Sequence, residues 1–161
     1  MNLSNWLEKW GMSSLKIMPP FLQMEWTPKA ADRNAAWALY IELLTRIATQ
    51  PLPIEHGDEK TALDSVYSLF ETTREVIRAH GPECINFTKI AIVVLNQVVR
   101  PFTAKWHRKS LSGDFEDETE RAVFREELAA LQAELRKYSR MLADIAGVED
   151  LTDLEETEDT V

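Results

Sequence analysis

Phe124, Leu128, Leu131, Leu135, Tyr138, Leu142 and Ile145 recur at intervals of 4, 3, 4, 3, 4 and 3 residues. That is an a/d seam held through three heptads, the spacing that keeps one edge of a long helix apolar. Such an edge has to be covered. Glu126, Glu127, Glu134, Arg136, Lys137 and Arg140 fill the other faces. Acids lead in "FEDETE" and bases gather later, as the helix dipole favours, and Gly147 is placed to end the helix. Two covers are compatible with this pattern. One is the rest of the same chain. The other is a helix from another protein or a second copy, for which Phe124, Leu128, Leu131, Leu135, Tyr138 and Leu142 would be the contact residues.

The remaining apolar spacing is also helical. One stretch covers residues 32–50, with Asp32 as N-cap and Trp37, Tyr40, Ile41, Leu44, Ile47 and Ala48 as its stripe. A second covers 58–80, with Asp58 as N-cap and Leu63, Val66, Tyr67, Phe70 and Ile77 inward; Gly81 suits a left-handed C-cap and Pro82 a first turn. A third covers 82–100 and is apolar nearly all round, which predicts a central helix. Its one polar line is Asn86, Lys89, Asn96 and Arg100, either a narrow solvent edge or the wall of a polar groove. Pro101 predicts a kink or break. The chain has only 5 glycines and lacks both G-x-x-x-x-G-K-[ST] and G-x-G-x-x-G, which disfavours hairpins and glycine-rich phosphate loops. The expected fold is all-α: a compact helical bundle of four main helices with a long C-terminal heptad helix, over residues 31–147.

Residues 1–30 read as an apolar arm packed on the bundle. "NWLEKW" suits a turn or two of helix, while Pro19, Pro20 and Pro28 forbid a continuous one. Trp6, Trp10 and Trp26 make this arm a second candidate partner-binding face, since Trp and Met are common at interfaces. Residues 148–161 carry seven acids and no base, an acidic tail expected to be disordered or loosely docked. Leu151 and Leu154 among those acids suit a segment that orders against a basic surface.

Charge narrows the partner classes. Residues 1–110 hold 13 Lys/Arg against 11 Asp/Glu, and residues 111–161 hold 5 against 16, for a net −9. That balance argues against general nucleic-acid binding and leaves only a local basic site over 100–109. "IAIVVL" is too short to span a membrane, and the N-terminus has neither the basic n-region nor the apolar h-region of a signal peptide. The single cysteine, Cys84, excludes an internal disulfide framework, so a cytoplasmic setting is expected. His56, His80 and His107 share no helical face and no H-E-x-x-H or E-x-x-H occurs, so no metal and no cofactor is expected.

The chemistry-bearing stretch is "RPFTAKWHRK". Arg100, Lys105, His107 and Arg108 form the best anion-binding candidate. The same cations would also neutralise the acidic "DFEDETE" that follows. Arg100 and His107 have the form R-x6-H, which resembles the R-x4-6-H signature of HEPN ribonucleases, a family of small all-α bundles. The resemblance covers these eight residues and the fold class. It implies that Arg100 would position a phosphate and His107 would act in acid–base transfer from a 2′-hydroxyl, without metal. Pro101 stands where that family prefers a polar residue, and "REVIRAH" (Arg74 to His80) has a similar form. Cys84 reads as a small core residue and "HGDEK" as a loop and N-cap. With no assembled catalytic set, the expectation is a non-enzymatic interaction module, a small adaptor or regulatory subunit of an intracellular complex. A metal-independent ribonuclease using Arg100 and His107 is the alternative.

Overall fold

The computed structural model describes residues 1–154, and these are all-α. The arm holds α1 (Leu3–Lys9) and a single turn, α2 (Pro19–Leu22). The body holds α3 (Ala30–Leu44), α4 (Glu59–Tyr67), α5 (Leu69–His80) and α6 (Ile85–Val94). A π-helical turn (Leu95–Val99) leads into α7 (Arg100–Leu111), and α8 (Glu118–Ala146) is the longest element. α8 lies along α3, and α3 also packs on α5 and α6, so α3 is the centre of the assembly. The only extended pairing among the described residues is an isolated bridge between Asn2 and Glu25.

All seven seam positions of α8, from Phe124 to Ile145, are buried in the chain's own core. The helix starts at the Asp117 cap, whose carboxylate accepts from the N–H groups of Thr119 and Glu120. It ends in a Schellman turn: Gly147 takes a left-handed φ of +70°, and its N–H and that of Val148 reach back to the carbonyls of Asp144 and Ala143. The chain then doubles back. Asp150 receives the Tyr40 hydroxyl at 3.2 Å, and Arg140 pairs with Asp150 and Asp153. Residues 155–161 of the acidic tail lie outside the described residues.

Several local expectations are corrected. Asp32 is not an N-cap but the third residue of α3. It is fully buried and accepts from Lys29 N–H (2.8 Å), Asn86 Nδ2 (3.1 Å) and Phe87 N–H (2.9 Å), stapling the starts of α3 and α6 together. α3 stops at Leu44 and does not reach residue 50. Its last carbonyls are taken by side chains, Thr49 Oγ1 on Leu43 and Gln50 Nε2 on Leu44. Buried Gln132 of α8 then holds the following turn by the carbonyls of Ile47 and Gln50.

The expected 58–80 helix is interrupted at Ser68. Its hydroxyl donates to the Ser65 carbonyl at 2.6 Å and accepts from Arg46 at 2.7 Å, the kind of local side-chain bond that bends a helix. Pro101 neither ends nor breaks its helix. The wider π turn just before it, in which Arg100 N–H reaches back to the Leu95 carbonyl, absorbs the missing N–H, and α7 runs for twelve residues from Arg100 to Leu111.

The inward faces also differ from expectation. Trp37 and Ile41 of α3, Tyr67 of α4, and Ile85 and Ile92 of α6 are exposed. α3 keeps Tyr40 inward as expected and adds Asp32, Ala36, Leu39 and Leu43, and α6 turns Phe87, Ile90, Ala91 and Val94 inward. α6 is therefore a half-buried helix, packed on one side only.

Candidate interaction surface

α7 distributes its cations over two sides. Trp106 is fully buried, stacked near Phe115 and edge-on to Phe124, and its indole N–H donates to Glu127 Oε2 at 2.7 Å. Lys105 and Lys109 lie over the same indole, each 5.3 Å from its centroid. Lys105 pairs with Glu127, and Lys109 pairs with Asp114 (3.2 Å) and Glu120 (2.8 Å). Burial pushes the Glu127 carboxyl up, but the donors of Lys105 and Trp106 and the charge of Lys109 outweigh it, so the group sits below the usual carboxylate range. Lys109 is held above its ordinary value by Glu120 and Asp114. Two of the basic side chains in 100–109 are thus already neutralised by α8 and the turn before it.

On the other side, Arg100 stacks over Phe70, 4.7 Å from its centroid, and donates to Asn96 Oδ1 at 3.1 Å. His107 meets Tyr67 edge-on at 4.7 Å. Arg100 and His107 share a face of α7 but stand two turns apart, roughly 10 Å along the axis. Each is laid against its own ring, Phe70 or Tyr67, and those two rings lie 5.6 Å apart. Arg108 is exposed beside His107. Among the described residues, no three of His, Cys, Asp and Glu lie together as a metal would need.

The partner-binding residues read from the sequence turn inward. Phe124, Leu128, Leu131, Leu135, Tyr138 and Leu142 are covered by the chain's own helices, so they offer no outward seam. Trp6 and Trp26 are buried against each other, their ring centroids 4.7 Å apart. Trp10 is half-buried and shares Asp144 Oδ2 with Trp6, at 3.2 and 2.6 Å. The arm is therefore fastened to α8 by its tryptophans, and they are not free to reach a partner.

The apolar side chains that do reach the surface lie elsewhere. Phe21 is 44% exposed, Met18 68%, Ile85 45% and Ile92 49%. Met18, Phe21 and Ile92 border a trough of about 300 Å³ between the arm and α6, floored by Ile90. Lys16 and Lys89 flank it. Lys89 reaches over the Phe21 ring (5.3 Å to its centroid) and to Met24 Sδ (4.0 Å), with no carboxylate partner among the described residues.

Sequence reasoning placed Ile85 and Ile92 in the core because α6 looks apolar on every side. The signal was nevertheless present. Residues 85, 89 and 92 share one helical face, and an isoleucine–lysine–isoleucine face is not a core face. The contribution of Met18 and Phe21 was not readable, because it depends on how a proline-broken arm lies down.

No family model, no curated protein and no solved structure matches the chain. No helix among the described residues is long and apolar enough to cross a membrane.

Proposed function

We propose that this chain is a non-enzymatic protein-interaction module, a small adaptor or regulatory subunit of a larger intracellular complex. The observation that supports it is the trough between the arm and α6. Met18, Phe21 and Ile92 stand partly in water around it, in a chain that buries Trp6, Trp26, Trp106 and its helix seam. Clustered exposed apolar side chains with polar groups at their rim mark surfaces that meet another macromolecule. The basic stretch of α7 supports the same reading, because Lys105, Trp106 and Lys109 are engaged in holding α7 to α8.

A photo-crosslinking side chain placed at position 92 of the full chain, in its own cell, tests this. A discrete protein adduct is expected there, reduced by Phe21→Asp and absent from the same probe at the well-exposed Ile54. Labelled RNA incubated with the purified chain is expected to stay intact. Cleavage that disappears in His107→Ala would replace this reading with the ribonuclease one.

A further inference from the structure

The chemistry of the trough specifies its occupant. We infer that it takes an amphipathic helix of another protein whose apolar stripe is flanked by Asp or Glu. This rests on the interaction reading above and adds the class of partner.

Three features carry it. The first is shape. Ile17, Met18 and Phe21 of the arm face Ile90, Ile92 and Val93 of α6 across about 300 Å³, an apolar groove of the kind that takes the i, i+3 and i+4 side chains of a docked helix. A strand has nothing to pair with here, since no sheet edge exists among the described residues.

The second is charge. Lys16 and Lys89 flank the apolar floor, and neither forms an ion pair with a described residue, whereas Lys105, Lys109 and Arg125 are each matched to carboxylates. Unmatched cations at the rim of an apolar trough favour acids at the rim of its partner and disfavour bases.

The third is preorganisation. The backbone of Lys16 is clamped by the Gln97 amide, its N–H donating to Oε1 at 2.7 Å and its carbonyl accepting from Nε2 at 2.8 Å. Leu3 N–H donates to the Met24 carbonyl at 3.1 Å and Trp26 N–H to the Met1 carbonyl at 3.0 Å. The arm's wall of the trough is thus fixed before anything binds, which lowers the ordering entropy lost on docking.

The rival occupants fit less well. The acidic helix of a second copy, α8, has its apolar seam in its own core. An anionic membrane would meet two lysines worth only about 1 kcal/mol each, on a chain of net charge −9.

The experiment is a selection of a random 16-residue peptide display library on the full chain, on Ile92→Asp and on Lys89→Glu, with circular dichroism confirming that each variant is folded. Peptides that bind the wild type are expected to carry apolar residues at i, i+3 or i+4, and i+7, with excess Asp and Glu. They should lose about tenfold or more in affinity on Ile92→Asp and about threefold on Lys89→Glu, and weaken as salt rises. Versions with Lys in place of their acids should prefer Lys89→Glu to the wild type.

Trough-dependent peptides that are neutral or basic would overturn the acidic-helix assignment and leave the interaction reading standing. No trough-dependent peptide at all, with the position-92 crosslink also missing, would overturn both. Self-association in light scattering that Ile92→Asp abolishes would assign the trough to a second copy. Binding to phosphatidylserine vesicles that Ile92→Asp abolishes would assign it to a membrane. Either of these last two results overturns the inference.

Discussion

Asp144, near the end of α8, accepts the indole N–H of Trp6 at 2.6 Å, a bond between residues 138 apart in the chain. Trp10 donates to the same oxygen, and Lys9 approaches the other at 3.8 Å. A carboxylate in the last turn of a helix opposes the dipole by about 0.3–1 kcal/mol. Two bonds to a charged acceptor are worth about 1.5–3 kcal/mol each, so fastening the arm wins.

Asp144→Ala is expected to lower stability by about 2 kcal/mol, or roughly 4–8 °C in Tm. It should also redden tryptophan emission and speed proteolysis within the arm. In a double-mutant cycle, Trp6→Phe should add little once Asp144 is gone, since the two act on one contact. Additive losses would show that the bond is not what holds the arm.

Asp32→Ala should be the more damaging change, at about 3 kcal/mol, or 6–12 °C in Tm. It strips three donors of their acceptor, and two of them are backbone N–H groups at the starts of different helices. Asp32→Asn should rescue little, because its NH₂ would face a donor. Thermal unfolding followed by circular dichroism measures both.

Tyr138 lies on the α8 seam with its hydroxyl buried and without a hydrogen-bond partner, and burial pushes its pKa well above the usual tyrosine value. An orphaned buried hydroxyl is unfavourable by about 1–3 kcal/mol. Tyr138→Phe keeps the ring and removes the orphan, so Tm should rise by about 2–4 °C per kcal/mol recovered. A fall in Tm instead would reveal a partner for the hydroxyl.

Acidification should weaken the α7–α8 contact. The folded pKa of Glu127 is depressed, so its contribution is fully present above the ordinary carboxylate pKa of about 4.3 and is lost as pH falls through the lower folded value. Asp58, held low by the Thr61 hydroxyl and N–H, acts in the same direction at the start of α4. Denaturant midpoints measured from pH 6 to pH 3 should fall, and Glu127→Gln should flatten that slope. An unchanged slope would remove Glu127 from the acid limb.

What could be read from residue order was what repeats or caps. The α8 seam lies where its spacing puts it, Gly147 ends the helix, and Asp58 caps α4 by accepting from Thr61. The all-α class follows from the same periodicity. The failures have a common cause in long-range contacts. Asp32 looks like a cap until Asn86 and Phe87 arrive from 54 and 55 residues away. The end of α3 depends on Gln132, and the exposed side of α6 depends on which neighbours remain after α3 and the arm have packed. The trough was illegible for that reason: its two walls, Lys16–Phe21 of the arm and Lys89–Val93 of α6, are far apart in the chain, and no local pattern joins them.

The π turn at Leu95–Val99 holds one residue more than a regular α-helical turn would. It sits between two helices whose facings are each set by burial: Val94 and Ile90 before it, Phe102 and Trp106 after it. Excising a single codon from 95–99 would close the turn to ordinary α geometry, press the Pro101 ring onto the carbonyl one turn back and kink the helix there. Adding one anywhere in α7 before Trp106 would swing that indole about 100° toward water. This short stretch is thus what lets a proline sit inside one continuous rod while the residues on either side keep their facings.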